Sequence, residues 1–242
     1  MQRSLAATSA DAGLDHEFRR RLERSSTDTV PVLEAGTSYA HEDSRIADAI
    51  RSMRKPDGPV RILEAGCGNR WPIDLGNLDY HLVGVDLDAE ALRIRTAVRK
   101  DLHEAIVGDL CTTPLPAASF DVVYNAFVLE HIERADLALE NMIQALKPGG
   151  LLVIRLPDPQ SARGFVTRRT PFWFHVFFAK YVEKRPNAGQ PGYAPYPTHY
   201  HRAVWKDSLL AMSASHGLRC FWMVADNHAR EEKGALGSLA RG

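Results

Sequence analysis

The sequence predicts an α/β protein whose doubly wound, mostly parallel sheet carries helices on both faces. Short apolar runs of strand length alternate along the chain with segments of helical periodicity. A strand, helix, strand order repeated in this way implies right-handed crossovers and parallel strands. The strands are predicted at residues 60–65, 82–86, 105–109, 121–126 and 151–156, with a last strand at 218–225.

Helices are predicted in most of the intervals between these strands. Ile46, Ile50 and Met53 recur at helical spacing, and Asp57-Gly58 ends that helix. Pro72 is well placed to begin a helix after the first strand. Further helices are predicted from the capping residue Asp88 to about Lys100, and at residues 139–146, 170–185 and 207–215.

Composition limits the classes of function. The chain has 242 residues, and its 30 basic residues balance 30 acidic ones. This neutrality disfavours a broad nucleic-acid or anionic-membrane partner. Three widely spaced cysteines suggest reduced thiols, and no apolar run reaches the roughly 18 residues of a spanning helix. We therefore expect a soluble cytoplasmic protein; oligomeric state is left open.

Polar residues follow the predicted strands at their carboxyl ends, where open parallel sheets bind ligands. Glu64 ends the first strand and is followed by Gly66-x-Gly68, whose glycines let a ligand approach the backbone. Asp86 and Asp109 end the second and third strands, and Asn125 lies near the end of the fourth. Three acids around one glycine turn suit a ligand with a ribose, an amine and positive charge, and they would repel a pyrophosphate.

Five motifs in this order resemble class I S-adenosylmethionine-dependent methyltransferases, in particular the small-molecule group that includes the ubiquinone and menaquinone methylases. They are ILEAGCG (62–68), VGVDLD (83–88), GDL (108–110), FDVVYNAFVLEHI (120–132) and LKPGGLLVI (146–154). The resemblance implies a Rossmann-like methyltransferase fold with S-adenosylmethionine as cofactor. The first three motifs would contact its methionine, ribose and adenine parts. The cofactor-binding residues so implied are Glu64, Gly66, Cys67, Gly68, Arg70, Asp86, Leu87, Asp109, Leu110, Asn125 and Tyr39.

The chain departs from this family at two points. Arg70 stands where the family usually has a third glycine, so Arg70 or Trp71 could reach the cofactor. The family also has two strands after the fifth, whereas the sequence supplies only one. A nicotinamide-binding Rossmann site is the main rival, but Trp71 is too large for the close helix contact that its fingerprint needs. Cys67 could be a nucleophile, although a small packing residue is the simpler interpretation.

Histidines are the candidate catalytic bases. His131 follows the fourth strand, near where the transferred methyl group would point, although it could instead cap the next helix. His175, His199 and His201 lie in residues 158–204, here called the cap segment, which contains half of the chain's aromatic residues. The alternation of His199 and His201 could suggest a metal, but no third ligand is evident, so no metal is predicted.

The sequence-based hypothesis is a methyltransferase that acts on a small aromatic or apolar acceptor, such as a phenol, quinone, polyketide or lipid-like molecule. The alternative is a relative that binds the cofactor without transferring methyl, such as a cyclase, a decarboxylase or a non-catalytic binding protein. For the cap segment, a substrate cap is favoured over a helix buried against the sheet. The predicted organisation is an N-terminal segment closing over the cofactor (1–58), the binding core (59–157), the cap segment, the end of the core (205–228) and a loose tail (229–242).

Overall fold

A computed structural model describes residues 34–35, 39–190 and 195–225. Five parallel strands form the main sheet, in the order β4-β3-β2-β5-β6. They are β2 (Val60–Ala65), β3 (Tyr80–Asp86), β4 (Glu104–Val107), β5 (Phe120–Ala126) and β6 (Leu146–Arg155). The helices are α1 (Tyr39–Arg51), α2 (Ala89–Arg93, continued as a π-helix over Ile94–Arg99), α3 (Ala135–Ala145), α4 (Ala162–Arg169), α5 (Phe172–Tyr181) and α6 (Lys206–Ser215).

The strand order confirms the predicted doubly wound sheet. From β2 the chain proceeds outward to β3 and β4, then returns to place β5 on the other side of β2. The order therefore reverses between β2 and β5, where Ala65 pairs with Asn125. Ligands of open α/β sheets bind in the crevice beyond the carboxyl ends of the two strands at such a point.

Helices cover both faces of the sheet. On one face, Ile46 and Ile50 of α1 and Leu92 of α2 pack against the side chains of Ile62 and Leu82. On the other face, α3 packs its apolar stripe against the opposite side of the same strands. Asp88 caps α2 as predicted, since its carboxylate accepts hydrogen bonds from the backbone N–H groups of Glu90 and Ala91 at 2.9 and 3.1 Å.

The structure corrects several predicted boundaries. The third strand ends at Val107, so Asp109 lies in the following turn. No helix begins at Pro72; residues 70–79 are irregular, with a turn at 76–77. The proline ring fixes one backbone angle but brings no apolar periodicity with it, and a helix needs that stripe to pack. The helix predicted at 170–185 is shorter, α5, and it follows a separate helix, α4.

The predicted last strand at 218–225 is also corrected. Only Val224–Ala225 (β7) is extended in a ladder, and it pairs in parallel with Glu34–Ala35 (β1) rather than joining the main sheet. The residue pattern gave strand propensity but did not identify the pairing partner, which lies near the other end of the described chain. Among the described residues the main sheet therefore has five strands.

Helix α5 of the cap segment exposes its aromatic side chains. Of α5, only Ala179 is buried, whereas Phe174, Phe177, Phe178 and Tyr181 are all exposed. The alternative of a helix buried against the sheet is therefore wrong. No helix within the described ranges is both long and apolar enough to cross a bilayer.

Candidate active site

The glycine turn, residues 66–68, connects β2 to the crevice at the point of strand reversal. Gly66 has a φ of +75°, and a Cβ atom there would lie 2.4 Å from Cγ2 of Val128. Gly66 donates its backbone N–H to the carbonyl of Val85 at 2.8 Å, which fixes the turn against β3. Only glycine satisfies both the left-handed backbone and the close approach. The turn therefore presents bare backbone at the carboxyl edge of the sheet.

Asp86 joins the end of β3 to this turn. Its carboxylate accepts hydrogen bonds from the backbone N–H groups of Gly68 at 2.7 Å and of Asp88 at 2.9 Å. A carboxylate has about four acceptor sites, so these two bonds orient it and leave capacity for a ligand. The hydroxyl groups of a ribose are donors of the kind that would complete this set.

Glu64 is held in a buried ion pair that the sequence did not indicate. Arg95, fully buried, donates to Glu64 Oε2 at 2.8 Å, to the Cys67 carbonyl at 2.8 Å and to Asp101 Oδ1 at 2.6 Å. Burial raises the pKa of Glu64, and the guanidinium of Arg95 opposes this rise. Through Arg95, Glu64 thus stabilises the glycine turn. This group is neutral when Glu64 is protonated and carries one negative charge when Glu64 is ionised, and in both cases Asp86 adds a negative charge to the turn.

The loop that follows β4 places Asp109 and its neighbours beside Asp86. Gly108 donates its N–H to the Asp86 carbonyl at 3.0 Å, and Asp109 Oδ1 accepts the N–H of Cys111 at 2.8 Å. Leu110 is buried, whereas Leu87 is 73% exposed and is free to cover a flat ligand. These residues border the side of the crevice next to β3.

Asn125 is fully buried at the strand reversal. Its amide nitrogen donates to the Ala65 carbonyl at 2.7 Å, while its Oδ1 has no hydrogen-bond partner among the described residues. An unpaired buried acceptor costs free energy, and such a group in a crevice is commonly completed by a ligand or water.

Glu130 is the least expected residue of the site. It lies in the short 3₁₀ turn Leu129–His131 after β5 and is only 2% exposed, and its Oε2 has no partner among the described side chains and backbone groups. Burial raises the pKa of Glu130 to about 7. Its backbone carbonyl accepts N–H groups from His199 and Tyr200 at 2.8 and 3.2 Å, so the end of the cap segment covers it.

His131 adjoins Glu130 and connects it to the cap segment. Its Nδ1 lies 2.6 Å from the carbonyl of Pro197, and its Nε2 lies 3.8 Å from Glu130 Oε1. Because a carbonyl only accepts, Nδ1 carries the proton, and in the neutral ring Nε2 keeps its lone pair. Burial lowers the pKa of His131, although the bond to Pro197 opposes this, so the neutral form is favoured. The ring of Tyr196 contacts it edge-on at 5.7 Å.

The other three predicted histidines have different surroundings. His199 lies next to Glu130 through its backbone, and its ring is 3.8 Å from Glu133. The ring of His201 accepts the N–H of Ala203 and caps a short 3₁₀ helix, while that of His175 pairs with Thr170 at 2.9 Å. The structure therefore brings His131 and His199 to Glu130 and gives His175 and His201 local capping contacts.

The remaining predicted contacts differ in accessibility. Arg70 is exposed, and Trp71 contacts Tyr124 edge-on at 5.2 Å and adjoins a core cluster. Cys67 is buried next to Gly84, and burial raises the pKa of its thiol to about 12, which suits a packing residue rather than a nucleophile. Tyr39 begins α1, but its side chain lies outside the described residues.

Glu130 and Arg95 are the two residues of the site that the sequence analysis did not select. In the sequence, the only signal for Glu130 is its position next to His131. Its burial depends on residues of the cap segment, which lie far along the chain. Arg95 lies on the predicted helix after Asp88, where a basic residue ordinarily points to solvent. No cluster of His, Cys, Asp and Glu suited to a metal occurs in the described part of the chain.

Residues 63–154 match a protein-family model described as a methyltransferase domain. A probable S-adenosylmethionine-dependent methyltransferase of Mycolicibacterium smegmatis is 34% identical over 40% of this chain. The match spans only 38% of the length of that relative.

Two further relatives differ in how much of the chain they cover. A trans-aconitate 2-methyltransferase of Azoarcus sp. is 27% identical over 84% of this chain and 76% of its own length. A ubiquinone biosynthesis O-methyltransferase of Chelativorans sp. is 32% identical over 41% of each chain.

Proposed function

Because residues 63–154 form a methyltransferase domain of the class I, S-adenosylmethionine-dependent family, we propose that this protein methylates a small acceptor bound at the strand reversal. The observation that carries the proposal is the junction of the glycine turn with Asp86. It combines bare backbone and an oriented carboxylate at 2.7 Å in a crevice that also carries negative charge. An adenosine bearing a sulfonium matches each of these features.

The residues present fit this cofactor. We propose that the glycine turn holds its amino-acid part, that Asp86 accepts from its ribose, and that Asp109, Leu87 and Leu110 border its adenine. Asn125 offers a buried acceptor whose partner is missing among the described residues. When bound, S-adenosylmethionine supplies an electrophilic methyl group on a positively charged sulfur. The protein mainly positions the acceptor, and such positioning can lower the barrier by several kcal/mol.

Glu130 and His131 are proposed to accept the proton of the acceptor. A buried carboxyl with a pKa of about 7 is close to the operating pH, where a general base is most effective. His131 Nε2, 3.8 Å away, has the lone pair needed to receive or relay that proton. We expect the rate to rise with pH through about 7, as Glu130 loses its own proton.

The acceptor is proposed to be aromatic or otherwise apolar. Phe127 and Tyr196 are 40% and 46% exposed, and both lie near His131 in sequence or in contact. Phe127 also has a φ of +58°, a strained backbone that is frequent at functional sites in non-glycine residues. The similarity to a protein named as a ubiquinone biosynthesis O-methyltransferase agrees with such an acceptor.

The test combines binding and turnover. Calorimetry should detect S-adenosylmethionine binding, and Asp86→Asn should weaken it by about 10- to 100-fold, the value of a hydrogen bond to a charged group. Asp79→Asn, an exposed carboxyl before β3, is the matched control and should leave binding unchanged. Absence of any binding to the wild-type protein would exclude the proposal.

Turnover separates methyl transfer from its alternative, cofactor binding without transfer. Methyl-labelled cofactor is incubated with phenols, quinones and, as a polar comparison, trans-aconitate. Label in an organic-soluble product supports the aromatic acceptor, and label in trans-aconitate alone would refute it. Binding without any transfer across a broad metabolite extract would favour the non-transferring relative.

A further inference from the structure

Helix α5 is apolar around its whole circumference and yet lies at the surface. Its sequence FWFHVFFAKY contains two residues with polar or charged side-chain tips besides the final tyrosine, His175 and Lys180. Trp173, Phe177 and Tyr181 are 67%, 51% and 63% exposed. Monomeric soluble proteins seldom expose contiguous apolar surface of this kind unless it contacts a partner or a membrane.

The helix is nevertheless held by the segment that follows it. Ala179 is buried, Gly189 approaches the side chain of Val176 closely, and Arg185 donates its N–H to the Ala179 carbonyl at 3.0 Å. The large rings contact one another instead, with Phe177 and Tyr181 4.9 Å apart between centroids. The exposed rings thus form an ordered apolar surface on a helix that the following segment holds in place.

Basic side chains border this surface on both sides. Residues 163–185 contain six basic residues and one acidic residue, in a chain whose formal net charge is zero. Arg168 and Arg169 precede α5, and Lys184 and Arg185 follow it; all four are exposed. Although the total charge is zero, the region around α5 is therefore cationic and attracts an anionic surface.

We propose that α5 is an interfacial helix that docks the protein on an anionic lipid bilayer. Tryptophan, tyrosine and phenylalanine on a helix with basic flanks are typical of helices that lie in the membrane interface. A ten-residue helix is about 15 Å long, roughly half of the hydrocarbon thickness, so it lies in the plane of the interface and does not span it. Basic residues next to the surface add an electrostatic attraction to anionic lipid.

The first test is flotation of the full chain with vesicles of phosphatidylcholine alone or mixed with phosphatidylglycerol. The protein should float with the anionic vesicles, less so in high salt, and the emission of Trp173 should shift to shorter wavelength. Trp173→Ser with Phe177→Ser should reduce binding by about tenfold or more, from the burial of two aromatic side chains. Val98→Ser with Leu137→Ser, also exposed apolar residues, should leave binding unchanged.

Charge is tested in the same assay. Lys184→Gln with Arg185→Gln should weaken binding to anionic vesicles several-fold and flatten its salt dependence. Arg54→Gln with Arg99→Gln, two exposed basic residues elsewhere, is the matched control. Unchanged melting temperatures would establish that all four variants are folded, as expected for changes at exposed side chains.

Two results would overturn the proposal. Equal flotation with neutral and anionic vesicles, or none with either, would exclude an anionic bilayer. A change of sedimentation coefficient in Trp173→Ser with Phe177→Ser, without any change in flotation, would assign the surface to contact between two copies of the chain. Neither outcome depends on cofactor binding, so the docking proposal and the proposed enzymatic function can fail separately.

Discussion

At the scale of single residues, Glu130 is the group whose ionisation most affects the site. Its pKa of about 7 in the folded protein exceeds the ordinary value of about 4.3, because burial disfavours the charged carboxylate. Between these two values the folded state holds a proton that the unfolded state has released. Stability therefore falls as pH rises through this interval.

Glu130→Gln should remove this dependence. From about pH 5 to about pH 8, wild-type stability should decrease relative to the variant by roughly 2–3 kcal/mol. Urea unfolding at several pH values measures the difference. Glu133→Gln, whose side chain is 80% exposed, is the control and should follow the wild type. Parallel pH profiles for wild type and Glu130→Gln would show that Glu130 is not buried as described.

Alanine substitutions at Gly66 and Gly76 distinguish the cost of a steric clash from the cost of backbone strain. Gly66→Ala adds a methyl group 2.4 Å from Val128 at a φ of +75° and should cost about 2–5 kcal/mol and weaken cofactor binding. Gly76→Ala has a φ of +56° with no atom within 4 Å of the new methyl group, and should cost only about 1 kcal/mol. Thermal melting and calorimetry compare the two. Equal losses would mean that the contact with Val128 is unimportant.

At the scale of elements, Arg95 joins the π-helix after α2 to the glycine turn. A π-helical turn shifts side chains relative to a regular helix, and functional sites often contain one. Here it accompanies a buried guanidinium that reaches Glu64, Cys67 and Asp101.

Arg95→Met should destabilise the protein by about 3–5 kcal/mol, because it leaves Glu64 buried without its partner. Adding Glu64→Leu should restore much of that loss, since a buried ion pair can be replaced by apolar residues of similar size. Urea unfolding of both single variants and the double variant measures the coupling. A double variant no more stable than Arg95→Met would contradict the buried pair.

For the whole molecule, the contacts of Asp121 and the proposed active site lie at opposite edges of the sheet. Asp121 is the second residue of β5, at the amino edge, and contacts three separate parts of the chain. It accepts from the N–H of Arg61 at 2.9 Å, from Lys147 at 3.0 Å, and it also pairs with Lys55. Burial by itself would raise the pKa of Asp121, but Lys55, the Arg61 N–H and Lys147 together lower it.

Asp121→Asn should cost about 2–4 kcal/mol at neutral pH, because it leaves the bonds of a buried carboxylate incomplete. A lowered pKa in the folded state gives stability that is present above about pH 4 and is lost as the pH falls further. The variant should therefore unfold with a weaker acid dependence than the wild type. Cofactor affinity should not change, since the crevice is at the carboxyl edge. Loss of affinity without loss of stability would contradict this separation.

The local features could be predicted from the residue pattern. Alternation of apolar runs placed β2, β3 and β5 within two residues of their bounds, and the cap of α2 by Asp88 follows from short-range hydrogen bonding. The glycine turn was likewise evident, since only glycine tolerates its backbone. Each of these depends on residues close together in the chain.

Contacts between groups far apart in the chain became known from the folded structure alone. Arg95 reaches Glu64 across 31 residues, and the end of the cap segment covers Glu130. The pairing of β1 with β7 and the exposure of α5 likewise depend on how whole elements pack. Burial and pairing are properties of the folded chain, and they turn an ordinary glutamate into a group that titrates near neutrality. No pattern of neighbouring residues carries that information, because solvent is excluded by segments remote in the sequence.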